Sequence, residues 1–379
     1  MKPWLLITSD LLKTGGMDRA NYALTEYLLH HKQTVHVVAH QVAPALLQHA
    51  NLKFHPISKP LGSSFLGEPY LRRAGNQWAQ RLADQGGPVV ANGGNGLRHD
   101  INWVHYLHAS HQPRSLASWW RRNKTQVAHR VYLRQEKIAF QRAQLLVANS
   151  QLTRRHLMEL LHVPAERIVV LYYGIDPQRF RPPTHDRRAE LRRKFGWSQR
   201  GPMVMFVGAL GDHRKGFDTL FDAWQQLCLD PRWDADLVVV GQGGELAHWK
   251  QQTLRAGLEQ RVHFLGFRQD VPDLLAAADA LVHPARYEAY GLGVHEALCC
   301  NLPAVVSRTA GVAEQYSHEM KPLLMEDPNS ATELEALLRT WREHQAGFQQ
   351  SAEKLSHTLR QRTWDDMARE FVTHAEALS

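Results

Sequence analysis

The sequence predicts an α/β protein that is built from two Rossmann-like domains. With 379 residues, the chain is long for one domain and natural for two. Near its start, apolar runs at 4–8 and 35–39 flank a helical pattern, which indicates a strand–helix–strand unit. Between 281 and 314 a strand, a glycine loop, a helix and a second strand follow one another. Each half of the chain is therefore expected to contain its own sheet of buried parallel strands.

The first half opens with a glycine loop. Gly15 and Gly16 follow the first strand, and helical periodicity begins at Asp18. The loop lacks the pattern G-x-G-x-x-G, so it does not argue for a dinucleotide, and a plain tight turn is the alternative interpretation. Further on we expect a helix around 70–82, strands at 88–91 and 101–107, and His108 at the end of the second of these strands.

Residues 114–142 form the most basic stretch, with eight Lys or Arg residues against one acidic residue, Glu136. The cations are Arg114, Arg121, Arg122, Lys124, Arg130, Arg134, Lys137 and Arg142. Trp119 and Trp120 lie at the head of the stretch. Trp together with Lys and Arg suits a membrane interface or the phosphates of a lipid-linked acceptor. The alternative is a solvated helix face whose aromatic residues pack on the domain.

The second half is expected to begin after a linker at 181–200, where prolines and a basic run indicate a linker and a charged helix. Strands are expected at 203–207, 237–240 and 262–264, and helices at 333–349 and 353–374. Asp234 and Asp236 form the pattern D-x-D, which can hold a metal. They precede a strand, where no ligand should bind, and are therefore interpreted as a turn.

Composition narrows the classes of function. A hydrophobic content of 44% and a charged content of 22% are ordinary for a soluble globular protein. Three cysteines, two of them adjacent, offer neither a disulfide framework nor metal-ligand spacing, and they fit a reducing cytoplasm. The start, MKPWLLITSD, is too short an apolar run for a signal peptide, and no stretch reaches the roughly 20 apolar residues of a membrane helix. The net charge of +8 suits an acidic partner, but without a zinc-finger or RNA-binding signature we expect no nucleic acid.

Two carboxylates and two glycines give the stretch 281–314 its chemistry. Glu288 and Glu296 have seven residues between them and flank Gly291 and Gly293. The glycines let backbone N–H groups approach an anion, and the start of the helix adds its dipole. A carboxylate one turn into the helix can accept hydrogen bonds from a pair of hydroxyls. The arrangement suits a sugar nucleotide, whereas two surface glutamates are the alternative interpretation.

The segment R-Y-E-A-Y-G-L-G-V-H-E-A resembles the E-x7-E motif of retaining glycosyltransferases. Together with the motifs below, the resemblance to glycosyltransferase family 4 covers nearly the whole chain. It implies the GT-B fold, in which two Rossmann-like domains face a central cleft. It also implies that Glu288 lies near the transferred sugar and that Glu296 binds the ribose. The donor phosphates would be held by the loop that contains Tyr290, Gly291, Leu292 and Gly293.

Three sites in the first half match family positions. Gly15 and Gly16 match a loop that faces the donor phosphates, and His108 matches a histidine close to the anomeric carbon, with His105 and His111 as rivals. The segment 173–176 resembles the family's N-G-V-D, with Tyr173 in place of the usual Asn.

Three segments of the second half also match the family. Lys215 resembles the Lys of G-R-L-x-x-x-K-G, whose Arg and Lys hold the diphosphate, if one extra residue is allowed. Ala209 stands in the place of that Arg, and Arg214 could supply the missing charge. Gly266 and Phe267 match a segment that meets the nucleobase. Residues 310–314 match G-G-x-x-E, with Ala in place of the first Gly.

The resemblance implies a retaining hexosyltransferase that needs neither a metal nor a cofactor. Its donor would be a UDP-, GDP- or ADP-sugar and its acceptor a glycan or a lipid-linked molecule. The expected domains are an acceptor domain at 1–180, a linker at 181–200, a nucleotide-sugar domain at 201–360, and a helix at 361–379 that returns to the first domain. We expect a cytoplasmic protein in peripheral contact with the inner face of an anionic membrane through 114–142. The alternatives are a nucleotide-sugar epimerase of the same fold and a non-catalytic sugar-binding member.

Overall fold

The structure is a computed structural model that describes residues 2–113, 119–197 and 200–378, and of 119–124 it describes the backbone only. The chain divides into two compact units. The first is formed by Met1–Gln112, Lys124–Gly174 and Arg362–Ser379, and the second is built mainly on Ile175–Gln361. The boundary between the two units lies after Gly174, whereas the sequence placed the end of the first domain at 180. The segment Arg362–Ser379 belongs to the first unit.

The first unit contains a seven-stranded parallel sheet with the strand order β5-β3-β1-β6-β7-β8-β9. Its strands are β1 Trp4–Ile7, β3 Val35–Ala39, β5 Leu52–Pro56, β6 Val89–Ala91, β7 Ile101–Val104, β8 Leu145–Ala148 and β9 Ile168–Val170. Two short strands, β2 Asp10–Leu11 and β4 Gln41–Val42, pair separately. The strands β1, β6 and β8 are continuous apolar runs, because the inner strands of a parallel sheet are covered by helices on both faces.

The described helices of the first unit are α1 Gly16–His30, α2 Pro44–Leu47, α3 Ser64–Arg81, α4 Trp119–Arg142 from Lys124 onward, α5 Gln151–Leu161 and α13 Trp364–Glu376. Helix α3 packs on the sheet, where Leu5, Ile7 and Leu71 are buried in one cluster. A Cβ atom at Gly75 would lie 2.7 Å from Ile7, so glycine lets α3 approach the strand closely. Helix α13 packs against α1.

The second unit contains a six-stranded parallel sheet with the strand order β12-β11-β10-β13-β14-β15. Its strands are β10 Met203–Val207, β11 Asp236–Val240, β12 Val262–Gly266, β13 Ala280–His283, β14 Ala304–Ser307 and β15 Leu324–Met325. Its helices are α6 His185–Lys194, α7 Phe217–Leu229, α8 Leu246–Arg255, α9 Val271–Ala277, α10 Leu292–Cys299, α11 Ala331–Glu343 and α12 Gln345–Leu359. Trp224 and Trp341 are fully buried in its core.

The stretch 181–200, expected to hold a linker and a charged helix, contains helix α6, and arginines of this helix bind the rest of the second unit. Arg188 Nη2 lies 2.8 Å from Asp279 Oδ1, and Arg192 Nη1 lies 3.0 Å from Asp279 Oδ2. Asp279 Oδ2 also accepts a hydrogen bond from the Met203 N–H at the start of β10. The basic run therefore docks this helix instead of solvating a free linker.

Two expectations from the sequence are wrong in detail. The helix predicted at 353–374 is two helices, because Thr363 starts α13 with a capping box in which Thr363 and Asp366 satisfy each other's backbone N–H groups. Asp236, interpreted as part of a turn, lies in β11 and is buried. Its carboxylate accepts hydrogen bonds from Arg200 and Arg261 at 2.8 Å each, so two guanidinium groups satisfy it within the fold.

None of the described helices combines the length and the apolar character that crossing a bilayer requires.

Candidate active site

In each unit the strand order reverses once, and the loops at that point carry most of the predicted site residues. In the second unit, β10 lies between β11 and β13, so the loops that follow β10 and β13 emerge side by side at the carboxyl edge of the sheet. Open α/β sheets bind ligands at such a point. Lys215 and Arg214 lie on the first of these loops, and Glu288 lies on the second.

An ion pair joins the two loops of the second unit. The Lys215 ammonium contacts Glu288 Oε2, and His283 Nε2 lies 3.6 Å from the same oxygen. The Lys215 and Glu288 side chains are 19% and 18% exposed, so the pair is shielded from most solvent yet reachable by a ligand. Sequence reasoning predicted both residues as site residues, and the strand order brings their side chains into contact across 73 positions of sequence.

Glu288 is held in its ionised form. Burial by itself raises the pKa of this carboxyl group, but the Lys215 charge, the neighbouring His283 imidazole and the Arg214 charge together lower its pKa well below the usual range. Burial lowers the pKa of His283. A carboxylate that stays charged beside a cation can stabilise positive charge that develops on a substrate.

The loop that carries Lys215 has a backbone conformation that requires glycine at one position. Asp212 accepts a hydrogen bond from the Arg214 N–H at 3.1 Å, and its Oδ2 lies 2.6 Å from Arg214 Nη2. Gly216 has a φ of +68°, and a Cβ atom there would lie 1.9 Å from the carbonyl oxygen of Pro284. Only glycine fits that close approach, which brings the loop against the chain just after β13. Arg214, predicted as a substitute phosphate ligand, thus has Asp212 as a competing partner.

Arg286 and Asp218 support this arrangement, and sequence reasoning missed both. Arg286 Nη1 and Nη2 each lie 2.8 Å from one oxygen of the Asp218 carboxylate. Arg286 Nη1 also donates to the His213 carbonyl at 2.7 Å, and the Arg286 N–H donates to the Arg214 carbonyl at 2.7 Å. Arg286 therefore links the loop that carries Lys215 to the loop that carries Glu288. The only signal in the sequence was an Arg and an Asp that each lie close to a motif.

The glycine loop of the second unit leads directly into α10. Gly291 precedes the helix with a φ of +101°, a conformation that favours glycine. Leu292 and Gly293 are the first two residues of the helix, and the first N–H groups of any helix have no partner within it. The Tyr290 hydroxyl lies 2.7 Å from His295 Nδ1, and the tyrosine is buried. Glu296 follows one turn later and is half-buried.

Gly266 and Phe267 lie at the end of β12, on the same carboxyl edge of the second sheet. Gly266 adopts a φ of +66°, and its carbonyl accepts a hydrogen bond from the Gly241 N–H at 2.8 Å. Phe267 is 62% exposed. An exposed aromatic ring at a ligand-binding edge can stack on a planar group such as a base.

The first unit holds the remaining predicted residues. Gly15 caps α1 with a φ of +76°, and Gly16 is the first residue of that helix. The reversal in strand order lies between β1 and β6, and a buried contact joins the two sides: Asn21 Nδ2 lies 2.9 Å from Asn92 Oδ1. His108 begins a short 3₁₀ turn after β7, and its ring contacts the buried Glu136.

Among the described residues, no group of three or more His, Cys, Asp or Glu side chains is placed to hold a metal ion. Arg114 and the region up to 118 lie outside the described residues, as do the side chains of Trp119, Trp120, Arg121, Arg122 and Lys124. The four cations of the basic stretch whose side chains are described are all exposed: Arg130, Arg134, Lys137 and Arg142.

Comparisons with known proteins bear on both halves of the chain. Residues 14–179 match the family model described as Glycosyltransferase Family 4, and residues 187–362 match the one described as Glycosyl transferases group 1. Mannosylfructose-phosphate synthase of Agrobacterium fabrum is 25% identical over 288 residues, which are 70% of this chain and 63% of that protein. The lipopolysaccharide glucosyltransferase WaaG of Escherichia coli is 31% identical over 175 residues, 46% of each chain. These stretches cover less than two thirds of either relative.

A solved structure with a similar fold is that of Anabaena HepE in complex with UDP and glucose. It has a TM-score of 0.74 and 23% identity, and the match covers 100% of both chains. Likeness at this level of identity shows the fold, and the GT-B class predicted from the sequence is confirmed.

Proposed function

Because the chain belongs to the glycosyltransferases of family 4 and group 1, we propose that it transfers a sugar from a nucleotide-sugar donor to a glycan or lipid-linked acceptor, with retention of the anomeric configuration. The observation that carries the proposal is the contact between Lys215 and Glu288 at the carboxyl edge of the second sheet. This contact places a cation that can bind the donor diphosphate beside a carboxylate that can act on the sugar.

The proposed chemistry uses charge and position. Lys215 and the N–H groups at the start of α10 bind the donor diphosphate, which gains negative charge as the bond to the sugar breaks. Glu288 stabilises the positive charge that develops on the sugar ring. Since Glu288 is engaged by Lys215 and His283, it acts as an electrostatic partner and not as a covalent nucleophile. The reaction then takes place on the front face of the sugar through an oxocarbenium-like species. Lys215 and the start of α10 supply the positive charge that a metal ion would otherwise provide.

The donor and acceptor are proposed by class. The HepE complex contains UDP and glucose, which favours a UDP-sugar among the UDP-, GDP- and ADP-sugars. The E. coli relative is named for lipopolysaccharide, an acceptor that combines glycan and lipid. We place the reaction in the cytoplasm, where nucleotide sugars and reduced cysteines would both be expected.

A panel of UDP-, GDP- and ADP-sugars tests the proposal by thermal shift and by slow hydrolysis without acceptor. A ligand at about a hundred times its dissociation constant adds ~2.7 kcal/mol to the free energy of unfolding, which gives a readable shift. We expect the sugar nucleotides of one base to stabilise the protein. We also expect the protein to hydrolyse that nucleotide sugar slowly. Interconversion of free epimers would favour an epimerase instead, and binding without any hydrolysis or transfer would favour a sugar-binding protein.

Lys215→Ala is expected to weaken diphosphate binding or to lower turnover by roughly tenfold or more, because a charge-assisted hydrogen bond contributes about 1.5–3 kcal/mol. Arg214→Ala should have a smaller effect, since Asp212 already engages that guanidinium. Titration of UDP followed by calorimetry measures both. Lys250→Ala, which removes an exposed lysine of α8, is the matched control and should bind UDP like the wild type. Equal losses in the Lys215 and Lys250 variants would contradict the assignment.

The basic stretch 114–142 is proposed to touch an anionic membrane. Its described cations are exposed, and each Lys or Arg near an anionic leaflet can contribute about 1 kcal/mol, an effect that fades within a Debye length. The protein should therefore sediment with phosphatidylserine vesicles at low salt and be released at high salt. Failure to bind at any salt concentration would indicate a solvated face and an acceptor in solution.

Neutralising Arg121, Arg122 and Lys124 together should abolish sedimentation and leave donor binding intact. The matched control removes three exposed cations from the second unit: Lys250, Arg255 and Lys321. Equal release by the two triple variants would show that net charge, and not this stretch, governs the attraction.

A further inference from the structure

His283 is the last residue of β13, and its ring can carry a charge that the proposed chemistry does not use. The residue is 5% exposed. Its Nε2 atom lies 3.6 Å from Glu288 Oε2, the oxygen that the Lys215 ammonium also contacts. One oxygen of this carboxylate therefore has two basic groups beside it. One of them is a lysine on a loop, and the other is a histidine at the end of a strand.

Only one of these two basic groups is charged while Lys215 contacts Glu288. Burial lowers the pKa of His283, and the charges of Lys215 and Arg214 lower it further. The Glu288 carboxylate acts in the opposite direction, but the pKa of the ring stays below its ordinary value. An ordinary imidazole is already largely neutral at physiological pH, so the His283 ring is neutral there.

The other charged side chains of this region pair with one another. They are Asp212 with Arg214, Asp218 with Arg286, and His213, whose Nε2 lies 3.2 Å from Asp218 Oδ2. On the neighbouring strand β14, the residue that pairs with His283 is the apolar Val306. Lys215 and Glu288 are the charges with the largest effect on the pKa of His283. A ligand that changes the Lys215 contact will therefore change the charge of the ring.

A phosphate group would change that contact. Its negative charge either neutralises the Lys215 ammonium or draws it away from Glu288, and in both cases the pKa of His283 rises. A lysine has a flexible four-carbon stem, so Lys215 can exchange one anion for another without a movement of its backbone. His283 is buried at the end of β13 and stays beside the carboxylate.

We propose that His283 is a reserve cation for Glu288: when a phosphate group engages Lys215, the His283 ring takes up a proton and replaces Lys215 as the positive partner of the carboxylate. The proton comes from the solvent, and the only bond that forms is N–H. His283 is thus a positioning residue, which keeps Glu288 charged and in place while Lys215 binds the phosphate. That the phosphate belongs to a nucleotide donor rests on the proposed function, whereas the exchange of cations does not.

Nitrogen-15 NMR of the full chain with labelled histidine tests the exchange without any nucleotide. His283→Asn identifies the resonances of the ring. The ring should stay neutral at physiological pH in the wild type. In Lys215→Met, which keeps the stem and removes the charge, it should become protonated in that range. Lys250→Met removes an exposed lysine of α8 and should leave the ring unchanged. A ring that stays neutral in Lys215→Met would overturn the proposal.

Calorimetric titration of UDP in buffers of different ionisation enthalpy counts the protons that are taken up on binding. We expect the wild type to take up roughly half a proton more per UDP than His283→Asn at neutral pH. Ionisation of the UDP phosphates contributes equally to both and cancels in the comparison. Glu288→Gln should lose the same uptake, because an amide does not stabilise an imidazolium. Equal uptake by the wild type and His283→Asn would contradict the proposal.

His263→Asn is the matched control for the calorimetry. His263 Nε2 lies 3.2 Å from Asp236 Oδ2, and that carboxylate also has cationic partners, Arg200 and Arg261. Asp236 begins β11, so this cluster lies at the amino edge of the sheet, away from the loop that carries Lys215. The control should take up protons like the wild type. Equal losses in the two histidine variants would show that His283 is not the group that binds the proton.

The wild type with UDP separates this proposal from the proposed function and needs no variant beyond the assignment. UDP should protonate the His283 ring in the NMR spectrum, as Lys215→Met does. If a nucleotide sugar is bound and hydrolysed while the ring stays neutral, the reserve cation is wrong and the proposed function stands. If the ring becomes protonated in Lys215→Met but no nucleotide sugar is bound, the exchange of cations stands and the proposed function is wrong.

Discussion

Replacing Glu288 by glutamine is expected to lower turnover by about a hundredfold or more, and to change donor affinity by less than about tenfold. The substitution keeps the shape of the side chain and removes its charge. In the native protein that charge is maintained by the contacts with Lys215 and His283, and it would act on the sugar only as the glycosidic bond breaks. Single-turnover kinetics and calorimetric titration of the donor measure the two quantities separately.

Glu296→Gln is the matched comparison, since it makes the same chemical change on the same loop–helix segment. Its proposed partner is the ribose, so donor affinity should fall by about tenfold while turnover at saturating donor changes little. Wild-type turnover of the Glu288 variant would contradict the role proposed for Glu288. Parallel losses of affinity in both variants would instead place both carboxylates on the nucleotide.

The stability of the Glu288 variant should depend on pH in a defined direction. The pKa of Glu288 lies below its usual range in the folded protein. Such a group contributes stability above its ordinary pKa, and the contribution is lost as the pH falls toward the folded-state value. The difference in unfolding free energy between wild type and Glu288→Gln should therefore be largest at neutral pH and shrink in acid. Urea unfolding at several pH values measures it.

Arg286→Met is expected to lower the free energy of unfolding of the second unit by about 1–3 kcal/mol, because it removes the main hydrogen-bond donor to Asp218, whose side chain is only 33% exposed. The Arg286 side chain is 12% exposed and meets Asp218 through two parallel contacts of 2.8 Å. Since Arg286 also holds the carbonyl groups of His213 and Arg214, the Lys215 loop should lose its position and UDP binding should weaken. Urea unfolding and calorimetry measure the two effects.

Arg308→Met is the matched control for that prediction. Arg308 also contacts a carboxylate, that of Glu326, but the two side chains are 45% and 68% exposed. Exposed pairs contribute about 0–1 kcal/mol, so this variant should remain close to the wild type in both measurements. If the two variants lost equal stability, burial of the pair would not be the cause.

Much of the architecture could be predicted from local patterns. The apolar runs at 35–39 and 203–207 became strands with those bounds, and the two-domain α/β class is confirmed. Glycines marked the loops before α1 and α10, because a left-handed backbone conformation at Gly15 and Gly291 favours that residue. The ends of helices were predicted less well where a capping residue decides them. Thr363 caps α13 and so divides a stretch whose helical periodicity looked continuous.

The candidate site was predicted in part. Lys215 and Glu288 were selected by resemblance, and the structure places them in contact, while their catalytic roles remain predictions. Arg286, Asp218 and Glu136 were not selected, since a charged residue beside a motif has no local signature that separates it from a solvated one. Arg214 was selected for its charge alone, and the sequence could not reveal that Asp212 engages it.

The sequence by itself determined most of the longer strands, the glycine loops that follow them, and which family the chain resembles, because these depend on neighbouring residues. Only the tertiary structure decided which side chains meet. Lys215 reaches Glu288, and Asp218 reaches Arg286, because β13 pairs with β10 across an inserted stretch that contains β11 and β12. His105 reaches Tyr173 for the corresponding reason, since β7, β8 and β9 lie side by side. Strand order is set by long-range packing of whole elements, and no local pattern of residues encodes it.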